Sequence, residues 1–477
     1  MMFKELSESS SKGNSKKKAL NWLIPAVLIG VFLAVSIITK HRFTLPLLLV
    51  LVLPAILIIP FKGLLVALVW CSFAMQSDHP WWSVHLGSLR VAIPEIILIL
   101  SFVLLFMELL TKREKLKLPP IASCFIPICV YFFFSLILGL LNKHPTSFIN
   151  LDIHRTFAYF AIFPLVYLFQ SKKDIRLFYI TVVSAALFIA IYTLSPILLS
   201  PLSPLKSVRR GRILIRNVVL FPFALAFLSQ LYIQSKKKKD KILAGVFLLS
   251  GFLAMLFTQN RTSWVGSVIA LSLFFALNYF WLMPKEKRGK FLAHTLAFLG
   301  SGIVGLGVIV LLFFRDTFLS FWQLRLLSFK FLKYDPAILA RRLGIYESKI
   351  LFKDSPLIGH GFGATWHSMG YPMTSTDNFY CIALVKLGLL GTILLFLPYI
   401  FWGRELVYIL RRLKKIENPV HLSLMVGILV FYPTLFIMQL VTAHLFDPAI
   451  VVATISLMVL TDYTSVSYTH LRAHETS

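Results

Sequence analysis

Thirteen cationic side chains crowd into two segments of this 477-residue chain, 201–216 and 315–375. The first holds Lys206, Arg209, Arg210, Arg212 and Arg216 and no acidic residue. The second sets eight lysines and arginines, Arg341 and Arg342 among them, against Asp316, Asp335, Glu347 and Asp354. Guanidinium groups stay ionised and present a planar fork of donors, so clusters of this kind suit an anionic ligand. Two further cations stand alone in apolar surroundings. Arg261 opens one apolar run and Lys386 lies inside another, nine residues after Asp377, which along a helix is about 13 Å. Such a charge in lipid is costly unless it faces a cavity or a partner. The plainer readings are an arginine snorkelling to lipid phosphates and a lysine paired with a carboxylate.

The elements that must position these residues are transmembrane helices. Hydrophobic residues make up 58% of the chain and its mean hydropathy is +0.80, more apolar surface than one soluble core could bury. A helical span needs about 20 mostly apolar residues, because each backbone polar group must find its partner within the segment. Runs of that kind fall at 20–38, 43–59, 63–76, 91–110, 121–141, 156–169, 177–200, 213–233, 242–257, 263–283, 291–314, 378–402, 422–443 and 449–460. The third and sixth are short. The expected fold is therefore all-α, a polytopic transmembrane bundle of about 12–14 spans with one long extracytoplasmic loop containing short helices. Within that loop, 318–334 has the aromatic and apolar content of a helix lying on the outer leaflet.

Charge gives the orientation. The net charge is +28, yet the 48 lysines and arginines lie between the apolar runs rather than in a soluble face, which argues against nucleic acid as a partner. Placing the N-terminus in the cytoplasm puts 27 of them on the inner side, as the positive-inside bias requires. Segments 201–216 and 315–375 break that bias, and an anionic ligand at the outer interface accounts for them. A multi-pass protein of a bacterial inner membrane follows, with both termini cytoplasmic. Cys71, Cys124, Cys129 and Cys381 fall in or beside apolar runs and read as small buried residues, not disulfides or metal ligands. Residues 465–477 (SVSYTHLRAHETS) break the pattern abruptly and read as a non-native tail.

The second half carries a set of motifs. Arg341-Arg342-Leu343-Gly344 leads to Pro356-Leu357-Ile358-Gly359-His360-Gly361-Phe362-Gly363. Then comes Thr376-Asp377-Asn378-Phe379-Tyr380, opening a span with Lys386-Leu387-Gly388-Leu389-Leu390-Gly391. The glycines follow no strand and so make no nucleotide-binding fingerprint. They suit a tight turn that brings backbone close to a ligand or a neighbouring helix. In this order the motifs resemble the O-antigen ligase and polymerase family. That family's pattern is an Arg-led helix, a Pro-leading Gly-x-Gly turn, and a His-Asn or Asp-Asn pair opening a span with a Gly-rich turn. Gln259-Asn260-Arg261-Thr262-Ser263 and Arg209 to Asn217 are similar to two further steps of the same pattern.

The resemblance implies a membrane glycosyltransferase using a saccharide on polyprenyl pyrophosphate, transferred to a saccharide or lipid-saccharide acceptor at the extracytoplasmic face, with membrane lipids around it. The protein would mainly neutralise charge growing on the departing pyrophosphate. Arginines suit that, so neither metal nor cofactor is expected. Arg261 is the first choice, with Arg209, Arg210, Arg212, Arg216, Arg342, Asn378 and Lys386 as further substrate-binding residues. In the family's ligases a His precedes the Asn and is the base. Here Asp377 stands in that place, and can act as base if burial or a neighbour raises its pKa. His360 and His367 are alternatives. The plainer readings are a helix cap for Asp377 and a turn role for His360. His444 and Asp447 could line the same cavity. Ligase and polymerase are not separated by these residues. A transporter or flippase of lipid-linked saccharides is the other class. Such proteins show internal repeats and interrupted helices, and no repeat is found.

Overall fold

Proline placement explains where many helices begin. Pro336, Pro419 and Pro448 are first residues of helices, and Pro94, Pro127 and Pro222 are second. At those positions the missing N–H costs nothing and φ is already helical. A computed structural model describes residues 61–74, 83–86, 89–112, 118–169, 171–199, 220–258, 261–293, 336–367, 378–440 and 442–475, with 300, 373 and 376. The expected spans at 20–38 and 43–59 and the expected leaflet helix at 318–334 lie outside the described residues, as do Arg209, Arg210, Arg212, Arg216 and Asp377.

The longer helices are α1 (Phe61–Ala74), α2 (Ile93–Lys112), α3 (Ile126–Leu141), α4 (Thr146–Phe157), α5 (Lys172–Leu199), α6 (Phe221–Gln234), α7 (Lys238–Thr258), α8 (Arg261–Ala276), α9 (Pro336–Asp354), α10 (Phe379–Arg412), α11 (Pro419–Gln439) and α12 (Pro448–Glu475). The chain divides into two units, residues 1–68 with 77–116 and residues 69–76 with 117–477. The first contains α2 and a two-stranded antiparallel hairpin, β1 (Ser83–Leu86) and β2 (Leu89–Ala92), in register Ser83 to Ala92. The hairpin is an addition to the all-α expectation. Its strands run S-V-H-L and L-R-V-A, mixed sequences too short to show a strand period.

The second unit is an all-α polytopic bundle. Among the described residues five helices are long and apolar enough to cross a membrane: Pro120–Leu141, Trp264–Leu282, Phe379–Lys415, Pro419–Gln439 and Pro448–Val466. Helix α3 shows how the bundle sorts its residues. Ile128, Cys129, Tyr131, Phe132, Ser135 and Gly139 face inward, while Val130, Phe133, Ile137, Leu140 and Leu141 remain exposed, Leu141 at 71%. A helix apolar on every side, with small and aromatic residues turned to its neighbours, is built for lipid. Helix α12 is the central post, buried throughout Ala449–Leu460. Helices α6 and α11 form the tightest pair, where Gly427 admits the Phe223 and Phe227 side chains. The short span expected at 156–169 is no single helix. A 3-10 turn at Ala158–Ala161 follows α4 and leads into the four-residue helix Ile162–Leu165. Fourteen residues of helix span only about 21 Å, too little to cross unbroken.

Helix α10 contains the feature that organises the rest. Gly388 has φ 65° and ψ −171°, so the helix is interrupted there. Leu389 and Leu390 would donate to Val385 and Lys386 in an unbroken helix. Their N–H groups instead donate to Pro356 O (2.8 Å) and Leu357 O (3.0 Å). The released carbonyls are taken up by the same external segment: His360 N–H donates to Val385 O (2.9 Å) and Gly361 N–H to Lys386 O (3.0 Å). The Tyr131 hydroxyl donates to Leu387 O at 2.8 Å. Segment 356–361 thus completes the helix ladder from outside, leaving little polar backbone uncompensated in an apolar setting.

Such contact requires glycine. Gly361 has φ 84°, and a Cβ there would strike the Gly139 backbone N of α3. Gly361→Ala is expected to cost on the order of 2 kcal/mol or more, from left-handed strain and collision together. Gly245→Ala, whose new Cβ would meet only Tyr232 Cε2 at 3.8 Å, should be neutral or slightly stabilising. Thermal unfolding in detergent, followed by size-exclusion chromatography, compares the two. Equal melting temperatures would refute the docking account.

Candidate functional site

Several helix ends meet at one end of the second unit. The C-terminal end of α3 carries Asn142, and α4 starts just beyond it. Asn378 caps α10, its side chain accepting from Cys381 N–H (3.1 Å) and donating through Nδ2 to Leu440 O just past α11 (3.0 Å). Phe379 stacks near Phe446, before α12, with ring centroids 5.1 Å apart. The capping role read for Asp377 thus belongs to Asn378, whose extended backbone and amide oxygen suit the N-cap position. Asp377 itself lies outside the described residues.

Lys386 sits immediately before the break in α10 and is only 2% exposed. Its ammonium donates to both carboxylate oxygens of Asp152 on α4, at 2.7 and 2.5 Å. Asp152 Oδ2 also accepts from Gly363 N–H at 2.8 Å, and Oδ1 lies 3.7 Å from Arg155 Nη1 one turn further along α4. The Trp366 ring lies 5.7 Å from the ammonium, and its Nε1 donates to Ser348 Oγ of α9 (2.7 Å). Of the two roles open for Lys386, the observed one is a carboxylate partner.

His360 is held on every side of its backbone. Its N–H is bound to α10 as above, and its carbonyl accepts from Asn142 Nδ2 (2.9 Å) and His144 Nε2 (3.1 Å). Its own Nε2 meets Leu351 O at 2.7 Å. Carbonyls only accept, so both rings carry their proton on Nε2 there. His360 is left with Nδ1 as its basic nitrogen. The geometry gives His360 a turn-holding role and leaves a base nitrogen in reserve. Burial, supported by the charge of Lys386, pushes the His144 imidazole below its ordinary range against the opposing pull of the His360 carbonyl. His367 is exposed, its Nε2 3.0 Å from Thr365 Oγ1. Arg342 lies exposed on α9, and Arg261 is the first residue of α8.

Sequence reading missed Asp152, Arg155 and Asn142. An acid four residues before the apolar run at 156–169 carries no motif. The one available signal was that Lys386, buried by its position in the span, required an anionic partner somewhere.

These features define a polytopic helical membrane protein whose interrupted helix, glycine turn and buried ion pair meet at one end of the bundle. The O-antigen ligase family model matches residues 244–396, a match that supports membership of the O-antigen ligase and polymerase family. Arg261, Arg342, the turn at 359–363, Asp377, Asn378 and Lys386 all fall within the match; Asp152 and the arginines of 201–216 precede it. Membership implies an enzyme of the ligase type, a glycosyltransferase acting on lipid-linked saccharides. Comparison with curated proteins gives no match.

Two outcomes are expected from this geometry. Lys386→Met strands a buried carboxylate and should cost about 3–5 kcal/mol, read as a lowered melting temperature of the detergent-solubilised protein; an unchanged value would mean that the pair is not closed in solution. His144, held neutral in the fold, takes up a proton more readily when unfolded. The stability it contributes is therefore full above the ordinary histidine range and is lost as pH falls through it. Acidification should lower the melting temperature of the wild type more than that of His144→Gln, which keeps an N–H donor without a titrating ring.

Proposed function

We propose that this protein transfers a saccharide from polyprenyl pyrophosphate to an acceptor hydroxyl at the extracytoplasmic face of a bacterial inner membrane. The observation that carries the reading is the family match over 244–396, which contains the glycine turn, the interrupted helix and most of the motif residues. In the reaction the acceptor oxygen bonds to the anomeric carbon and the bond from that carbon to the phosphate oxygen breaks. The acceptor's proton passes to a base, and the lipid pyrophosphate departs with its electron pair. Arg261, Arg209, Arg210, Arg212, Arg216 and Arg342 are the groups assigned to the growing phosphate charge, a task for which guanidinium donors are suited without a metal. Asp377 is assigned as base, adjoining the capped N-terminus of α10 at Asn378. His360 Nδ1 is the second candidate. Both termini are placed in the cytoplasm and segment 315–375 outside, following the distribution of lysine and arginine.

A second reading, movement of intact lipid-linked saccharide across the bilayer, draws on one observation: interrupted helices are a habit of transporters, and α10 is interrupted at Gly388.

One reconstitution separates the two. Purified protein in liposomes is given polyprenyl-pyrophosphate oligosaccharide and candidate acceptors. Release of lipid pyrophosphate coupled to product growth is expected, reduced about 10²–10³-fold in Arg261→Ala and about 10²-fold or more in Asp377→Asn. A loss confined to His360→Gln would move the base to the turn. Transbilayer movement of uncleaved donor, with no product, would sink the transferase reading.

A further inference from the structure

We propose that Asp152 and Lys386 are positioning residues for this reaction: their ion pair fixes the glycine turn on the interrupted helix and so sets the geometry of the site at that end. The inference rests on the transfer reading above and adds residues to it, one of them outside the segment the family model matches.

The argument starts from what the pair does that an apolar contact of equal size could not. Burying an ion pair is often no more stabilising than packing hydrophobic residues of the same volume, because both charges lose their water. Stability alone therefore gives little reason to keep a lysine 2% exposed against a carboxylate inside a bundle. The bonds made by the carboxylate give a better one. Asp152 takes Lys386 Nζ on both oxygens and Gly363 N–H on one of them. It is thereby the common anchor of two separate segments: α10 just before Gly388, and the last glycine of the turn that follows α9.

Direction matters as much as strength. Gly363 has φ 83°, with Ile149 and His144 so near that a Cβ there would strike both. The turn has one seat, and the carboxylate defines it. Trp366, whose ring lies 5.7 Å from the ammonium, joins to Ser348 and so to α9, the helix that bears Arg341 and Arg342. Between Gly363 and this anchor the backbone runs straight back to His360, whose N–H is fixed to Val385 O. The Asp152 carboxylate is therefore linked to the turn, to His360 and to the C-terminal half of α9 together. Misplacement of catalytic groups by about 1 Å can cost on the order of 10²-fold in rate without touching any reacting atom.

The test uses the full-length protein in nanodiscs and two variants. D152N keeps one acceptor and loses the charge. D152L/K386M replaces the pair with apolar side chains of similar volume. Turnover of the polyprenyl-pyrophosphate donor should fall at least about 30-fold in both, with KM for the donor within about threefold. The melting temperature of D152L/K386M should stay near that of the wild type. Hydrogen–deuterium exchange supplies a readout independent of activity: the peptide covering 359–367 should exchange about tenfold faster or more in both variants, with 419–439 unchanged. D152L/K386M with wild-type turnover overturns the proposal, as does unaltered exchange of 359–367 in D152N. Should the wild type transfer no saccharide, the transfer reading fails by itself. Exchange in 359–367 then decides whether the pair positions the turn.

Discussion

A helix interrupted inside an apolar bundle releases backbone donors and acceptors where water cannot reach them, and the structure around α10 depends on how that debt is met. Lipid tolerates irregular backbone only where protein takes over its hydrogen bonds. Here the replacement is one continuous segment. Pro356 and Leu357 offer carbonyls to Leu389 and Leu390, and His360 and Gly361 offer N–H groups to Val385 and Lys386. Because the substitution is in register over both donors and acceptors, the segment cannot slide along α10 without unmaking several bonds at once. The approach is backbone to backbone. That is why a Cβ on Gly359 would strike Lys386 and one on Gly388 would strike Leu357 and Gly359. Tyr131 finishes the arrangement from α3. Its ring lies where a Cβ on Gly391 would be, and its hydroxyl reaches both Leu387 O and Ile358 O.

Against that frame, the legible and the illegible parts of the sequence separate for physical reasons. Hydropathy marks each apolar run independently, so the all-α membrane bundle could be read from local composition, and α3, α8, α10, α11 and α12 fall on expected runs. The glycines at 359, 361 and 363 announced close backbone approach, since no other residue type supplies it as readily. What they could not announce was their partner. The docking of 359–361 on 385–388 joins residues about 25 positions apart, and that of Gly361 on Gly139 joins residues more than 200 apart. Asp152 was illegible for the same reason: one carboxylate in a segment without a motif, given meaning by a lysine 234 residues later. The cap went to Asn378 rather than Asp377 because the first helical turn starts one residue later than the apolar run suggests. The run at 156–169 is not one continuous helix, because hydropathy registers composition and cannot see the 3-10 turn at Ala158–Ala161.

The cations of the chain do two different kinds of work. Lys386 is neutralised locally, by bonds at 2.5 and 2.7 Å in surroundings from which solvent is excluded. Its charge therefore serves the fold, and little of it remains to draw an anion from outside. Arg342, exposed on α9, is of the other kind.

This division bears on how much the site can move. An enzyme acting on lipid-linked saccharides has to admit a bulky substrate and release its product, so some part of it must yield. The turn at 356–363 is poorly suited to yield, because its backbone belongs to the hydrogen-bond ladder of α10 and its last glycine is tied to α4. Any yielding must therefore come from outside that ladder. A floor made from an interrupted helix and the turn bound to it suits that demand, because several backbone hydrogen bonds must break together before it moves.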